Sequence, residues 1–217
     1  VADVVEPLPR LLRAANTLVR TGEGWRAENT DVTGIGMALQ LAGVEEVGSA
    51  TVIGGGGTAV AAAVAVASLG ARQVDVVVRD PARAGDVLRV LGALDVPASV
   101  TPLGEAVLDA PLVVSAVPID AQPALLALPW RGDHTLLDVL YAPWPTVLAE
   151  AWTGLVLASL TAGAEATVLV ASFVLSMSIR SRAIAASNAV IAATISSHKW
   201  QPRRIYNWSR RSIFRLR

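Results

Sequence analysis

The stretch Thr51-Val52-Ile53-Gly54-Gly55-Gly56-Gly57-Thr58-Ala59 decides how this chain is read. A β-branched run meets four glycines, and an Ala/Val-rich segment continues to Leu69, long enough for a buried helix. The order is strand, turn, helix. Between such a strand and helix, Gly54-x-Gly56-x-x-Ala59 has the spacing of a dinucleotide-binding fingerprint. Gly54 would allow the tight turn, Gly56 the close approach of backbone to a pyrophosphate, and Ala59 close packing of helix on sheet. The helix start offers unpaired N–H groups and partial positive charge to phosphates. Gly54, Gly55, Gly56, Gly57 and Thr58 are therefore candidate cofactor-binding residues, against the plainer reading of a glycine-rich loop without a ligand.

Working outward, Gly70 closes the helix, and residues 74–78 read as a second apolar strand ending at Arg79 and Asp80. Helical pattern resumes over 81–94. Further strands are expected at 98–101, 112–116 and 135–139, with a helix near 121–128. Alternating helices and nearly continuous apolar strands indicate an α/β fold, a Rossmann-like doubly wound parallel sheet covered on both faces. At the end of the second strand of such a sheet an acid binds the ribose hydroxyls, whereas arginine accommodates a 2′-phosphate. Arg79 and Arg83 favour NADP through planar, charge-assisted contacts, while Asp80 keeps NAD open. Arg83 reads equally well as a solvated helix residue.

The first 48 residues differ, being polar and loop-rich around Asn16, Gly22, Gly24 and Asn29, with an amphipathic helix expected over 34–42. They look like the end of another domain. The chain has 217 residues, 53% of them hydrophobic, which suffices for a sizeable core. With no cysteine, disulfides, thiolate metal sites and cysteine nucleophiles are excluded, and no metal-ligand spacing occurs. The net charge of zero divides into about −8 over residues 1–150 and about +8 over 151–217. The acidic part is not expected to bind nucleic acid; the basic part resembles an RNA-binding or membrane-surface tail. No secretory signal opens the sequence, so the cytoplasm is the expected compartment, and the absence of an initiator methionine suggests a fragment. The two histidines, His134 and His198, read as surface residues.

Several motifs occur in order: Ala14-Ala15-Asn16-Thr17-Leu18; Asn29-Thr30-Asp31 with Gly34; the glycine loop; Arg79 to Arg83; and Asp138-Val139-Leu140-Tyr141-Ala142-Pro143. Together they make residues 14 to about 151 resemble the shikimate dehydrogenase family. The resemblance implies a substrate domain followed by an NADP-binding Rossmann domain, with the active site in the cleft between them. The expected boundaries are 1–33 for the remnant of the substrate-binding domain, 34–152 for the nucleotide domain and 153–217 for a tail outside the family pattern.

The resemblance further implies that Asn16 and Asp31 hydrogen-bond the hydroxyls of shikimate, that Asp31 works catalytically beside the hydroxyl being oxidised, and that Tyr141 completes the substrate site. Asn and Asp suit a polyol because one supplies donor and acceptor and the other two acceptor oxygens. Val139 and the glycine loop would touch the cofactor. The plainer alternative makes Asn16 and Asp31 caps, Asp31 being well placed as an N-cap before Val32-Thr33-Gly34. The implied reaction is reversible reduction of 3-dehydroshikimate to shikimate with NADPH, on the route to chorismate and aromatic amino acids. Quinate as substrate and a homodimeric assembly are both compatible with it.

The sequence also departs from the family. Ser115-Ala116-Val117 stands where the family has Asn-x-Thr, and the family's serine pair and active-site lysine have no counterpart, Lys199 being the one lysine. Nothing after Ala151-Trp152 matches the family's closing Gln-bearing helix. A catalytically dead dinucleotide-binding remnant is the alternative reading, and residues 153–217 read as the product of a shifted or unrelated reading frame. Residues 154–179, with Glu165 the single charge, are long enough to cross a membrane, but either topology would conflict with a cytosolic enzyme, so a membrane partner is not expected. The interleaved aromatics and arginines of 200–217 would suit RNA or anionic lipid; a disordered tail is the preferred reading.

Overall fold

The computed structural model describes residues 2–131, 134–140, 145–151, 155–158, 214 and 215. Its centre is a six-stranded parallel sheet built from β5 (Ser49–Ile53), β6 (Gln73–Val78), β7 (Ala98–Pro102), β8 (Leu112–Ser115), β9 (Thr135–Asp138) and β10 (Leu155–Ala158). The earlier elements are β1 (Val4–Val5), α1 (Pro7–Leu12), β2 (Ala14–Ala15), β3 (Thr17–Thr21), β4 (Gly24–Glu28) and α2 (Asp31–Leu41). Between and after the sheet strands come α3 (Gly57–Ser68), α4 (Gly85–Ala93), α5 (Gln122–Leu126) and α6 (Val147–Ala151), and β11 (Phe214–Arg215) pairs with β2.

The strand order is β10-β9-β8-β5-β6-β7. Parallel neighbours cannot be joined by a tight hairpin, so each step crosses over a face of the sheet. From β5 the chain steps outward through β6 and β7, then returns to β8 on the other side of β5. The direction reverses between β5 and β8, and ligands in such sheets bind in the crevice at the carboxyl ends of the strands flanking that reversal. The expectation of a doubly wound parallel sheet holds.

The central strands are buried on both faces, which is why they read as unbroken Val/Ile/Leu runs. Val52, Val74, Val76, Val113, Val114, Leu136 and Leu137 are fully or almost fully enclosed. Helix α3 is enclosed by the sheet, α2 and α4, so that every residue from Ala59 to Val66 is buried, and five of those eight are alanines. Small side chains are what permit that enclosure. Ile35, Ala38 and Leu39 of α2 join the same core.

The first segment is more ordered than its polarity suggests. β3 and β4 form an antiparallel hairpin across Gly22-Glu23, and β1 adds to β4 in parallel. Helix α2 begins at Asp31, three residues before the expected start at Gly34, because Asn29 provides a cap upstream. No helix among the described residues is long and apolar enough to cross a membrane. The span considered over 154–179 and nearly all of the tail lie outside the described residues, as does His198.

Candidate functional site

At the carboxyl end of β5 the backbone turns sharply. Gly54 sits at φ +125°, where only glycine is comfortable, and a Cβ on it would come within 2.9 Å of the Ala116 carbonyl oxygen after β8. Its N–H donates to Val77 across 2.9 Å, and Ala116 donates to Ile53 at the same distance, so the turn is tied to both neighbouring strands. Gly55 lies against the backbone of Arg83, whose carbonyl oxygen occupies the space a Cβ would need.

Gly56 is different. Its backbone is extended, at φ −89° and ψ −178°, and a Cβ there would meet nothing within 4 Å. As the N-cap of α3 it brings no side chain to the first turn, which holds no acid either. Twelve residues of helix thus end in donor groups without a side-chain cap, beside open space at the sheet's reversal. An anionic pyrophosphate fits this arrangement: the glycines leave room and the helix end supplies N–H groups and positive potential.

Arg79 and Arg83 are both exposed, at either end of the Pro81–Ala84 single-turn 3-10 helix that follows β6. Contact between Gly55 and the Arg83 backbone places this turn beside the glycine loop. Asp80, the residue that kept NAD open, uses Oδ1 to accept the Ala82 N–H at 3.0 Å and so caps the turn. Val139 leaves β9 with its N–H donated to Ser115 across 3.0 Å and its side chain against the core.

Asn16 and Asp31 meet, although fifteen residues separate them. Asn16 Nδ2 donates to Asp31 Oδ1 at 2.7 Å and lies 3.1 Å from Thr30 Oγ1, while Asn16 Oδ1 accepts the Thr30 N–H at 3.0 Å and the Thr17 hydroxyl at 3.0 Å. Asn16 is exposed and Asp31 half-buried, so the pair opens toward solvent. The cap reading of Asp31 gives way: Asp31 is the first helical residue of α2, and buried Asn29 caps it by accepting the N–H groups of Asp31 and Val32 at 3.1 and 3.4 Å. Tyr141 lies outside the described residues.

Some residues have local roles beyond those the sequence motifs assign. Asp138, fully buried at the end of β9, accepts from Gln122 Nε2 at 2.7 Å, the Thr146 hydroxyl at 2.6 Å and the Leu140 N–H at 3.1 Å. Burial raises its pKa above the ordinary 3.8, opposed by these hydrogen bonds. Gln122 Oε1 in turn accepts the Leu148 N–H and Thr146 Oγ1 the Ala149 N–H, so one carboxylate ties β9 to the starts of α5 and α6. An acid closing the apolar run Thr135-Leu136-Leu137-Asp138 was the available clue. Directly across the β8–β9 register stands Ser115, buried, its hydroxyl without a hydrogen-bond partner among the described residues. His134 is not a surface residue: it is 8% exposed, its Nδ1 hydrogen-bonds the Ala110 carbonyl, and its ring meets Trp130 edge-on.

A cavity of about 370 Å³ opens at the amino ends of the strands, among Glu45, Glu46, Ser49, Leu112 and Thr135. Ser49, Leu112 and Thr135 begin β5, β8 and β9, so this hollow faces away from the glycine loop. No group of three or more potential metal ligands occurs among the described residues.

The reversal of strand order, the glycine turn and the uncapped helix define a doubly wound α/β protein of the Rossmann type. No protein-family model matches the chain. Curated relatives do: the NADP(+) shikimate dehydrogenase of Desulforamulus reducens is 32% identical over 158 residues, 66% of this chain and 54% of that protein. Its counterpart in Natronomonas pharaonis is 36% identical over 157 residues, 68% of this chain and 57% of that one. Among solved structures, Mycobacterium tuberculosis shikimate dehydrogenase is 34% identical and superposes with a TM-score of 0.59, over 72% of this chain and 61% of its own. The Thermus thermophilus shikimate 5-dehydrogenase, solved with NADP(H) and shikimate, is 25% identical with a TM-score of 0.52, over 69% and 56%. Through this stretch the chain is similar to the shikimate dehydrogenases in both sequence and fold. It spans about half the length of the curated relatives it matches.

Proposed function

We propose that the protein is an oxidoreductase that binds NADPH at the glycine loop and reversibly reduces 3-dehydroshikimate to shikimate, in the cytoplasmic route to chorismate and aromatic amino acids. The observation that carries the reading is the start of α3: a twelve-residue helix with no side-chain cap and no acid in its first turn, beside a glycine whose missing side chain leaves open space. A dinucleotide pyrophosphate is the anion this geometry suits. Gly54, Gly55, Gly56, Gly57 and Thr58 would hold it, Arg79 and Arg83 would take the 2′-phosphate, and Val139 would border the nicotinamide side. The named relatives, which are NADP(+) enzymes, support this choice of cofactor.

Asn16, Asp31 and Tyr141 would hold the polyol. The Asn16–Asp31 hydrogen bond fixes both side chains before substrate arrives, so the ordering cost is met in folding rather than in binding. When bound, NADPH supplies the hydride; the protein's part is to hold the carbonyl carbon within reach and to orient the oxygen that gains a proton. Asp31 is the titratable group we assign to that oxygen, as a hydrogen-bonding partner of the hydroxyl formed. In this reading residues 1–33 contribute the substrate side, 34–152 the nucleotide side, and 153–217 neither.

The reading is tested with the purified chain by calorimetric titration of NADPH and NADH, followed by shikimate and quinate onto the NADP complex. NADPH and shikimate are expected to bind more tightly than NADH and quinate. Absence of any saturable dinucleotide binding would refute the proposal.

A further inference from the structure

Helix α4 touches both halves of the proposed site. At its start, Gly85 follows directly on Arg83 and Ala84, and the Arg83 carbonyl packs on Gly55 of the glycine loop. One turn further on, Arg89 reaches away from the nucleotide side. Its Nη1 donates to the Leu11 carbonyl at 2.8 Å and its Nη2 to the Leu12 carbonyl at 3.4 Å, spanning more than seventy-five residues of sequence. Its Nε faces Asp86 Oδ1 at 3.6 Å, which steadies the guanidinium on its own helix.

The two carbonyls belong to the end of α1, a helix of six residues. The last four carbonyls of any helix lack partners within it, so in so short a helix most of the acceptors need outside donors. Arg89 supplies two from one rigid planar group and places positive charge at the helix's negative end. Immediately after α1 the chain turns through Arg13 in the left-handed region at φ 54°, enters buried Ala14 and Ala15, and reaches Asn16. Only three residues separate the Leu12 carbonyl from Asn16, and two of them are locked in the core.

We propose that Arg89 is a positioning residue: it clamps the end of α1 onto α4 and thereby sets where Asn16 stands relative to the glycine loop. The inference rests on the function proposed above for what Asn16 binds, but the clamp itself is independent of ligand. A lysine at this position could reach one carbonyl but could not span both as a planar fork.

Hydrogen exchange of the 217-residue chain, compared among wild type, Arg89→Met and Arg89→Lys, tests it. The Asn16 amide, bonded to Glu28, and the Thr30 amide, bonded to Asn16 Oδ1, report the position of Asn16. In Arg89→Met their exchange should quicken at least tenfold while amides of α3 over 60–66 keep their rates, with Arg89→Lys intermediate. NADPH affinity, titrated alongside, should change less than twofold. Unchanged exchange at Asn16 and Thr30, or equal acceleration there and in α3, would overturn the clamp. Failure of the wild type to bind NADPH would instead strike the proposed function and leave the exchange comparison intact.

Discussion

The side-chain amide of Asn16 donates to Asp31 Oδ1 across 2.7 Å, joining the residue after β2 to the first residue of α2. Because Asn29 carries the capping of α2, Asp31 is not needed for that task. Its carboxylate is half-buried beside an exposed amide, so acceptor oxygens and a donor–acceptor group lie together toward solvent.

Replacing Asp31 with Asn keeps an acceptor for Asn16 but removes the charge. A hydrogen bond to a charged group contributes about 1.5–3 kcal/mol, so shikimate affinity should fall roughly 10- to 150-fold. NADPH affinity and melting temperature should hardly move. Calorimetry with each ligand, together with a thermal melt, checks the separation.

The glycines make three different predictions. Gly56→Ala has room and an unstrained backbone, so the protein should melt as the wild type does while NADPH binding weakens by tenfold or more, the new methyl standing where the pyrophosphate approaches. Gly55→Ala runs into the Arg83 backbone and should destabilise the fold by about 1–3 kcal/mol. Gly54→Ala forces a side chain into φ +125° and should cost a similar amount. Denaturant titrations set beside NADPH titrations distinguish the three.

If Arg79 and Arg83 take the 2′-phosphate, Arg79→Gln and Arg83→Gln should each weaken NADPH binding about tenfold and leave NADH binding unchanged. Both side chains are exposed and neither anchors the core, so stability should stay within about 0.5 kcal/mol. Equal losses for the two cofactors would place the arginines elsewhere in the site.

Asp138 gives a pH signature. Its folded pKa is raised by burial above 3.8, so between the unfolded and folded values the native state binds more protons than the unfolded chain. Stability contributed by protonation is therefore present below 3.8 and lost as pH rises through the folded value. Asp138→Asn abolishes that slope, though it presents a donor to groups that themselves donate, at a cost of about 1–3 kcal/mol. Urea unfolding across pH 3 to 8 should show wild type falling relative to the variant as pH rises, then running parallel.

Much of this was legible from spacing alone. A β-branched run, four glycines and an alanine-rich helix allow little besides a strand–turn–helix unit, and the alternating apolar runs around it required a parallel sheet. The hairpin over Thr17–Thr21 and Gly24–Glu28 reads as loop in the sequence because its strands are short and mixed in polarity; its Gly22-Glu23 turn is the one local cue to it. Helix α2 starts at Asp31 and not at Gly34 because Asn29, two residues upstream, accepts the first free N–H groups. Arg89, Gln122 and Thr146 stayed hidden for another reason: each gains its meaning from a partner at least eight and as many as seventy-eight residues away, which local pattern does not encode. His134 sits in no motif and so reads as a surface residue, whereas the Ala110 carbonyl and Trp130 make it a comfortable buried side chain.

A pyrophosphate seat at the start of α3 is tested most directly by titration of NADPH into the wild-type chain and into Gly56→Ala, followed by nicotinamide fluorescence. One saturable site is expected in the wild type, with at least tenfold weaker binding in the variant at unchanged stability. Equal affinities in the two proteins, or no saturation in the wild type, would contradict a pyrophosphate seat at the start of α3.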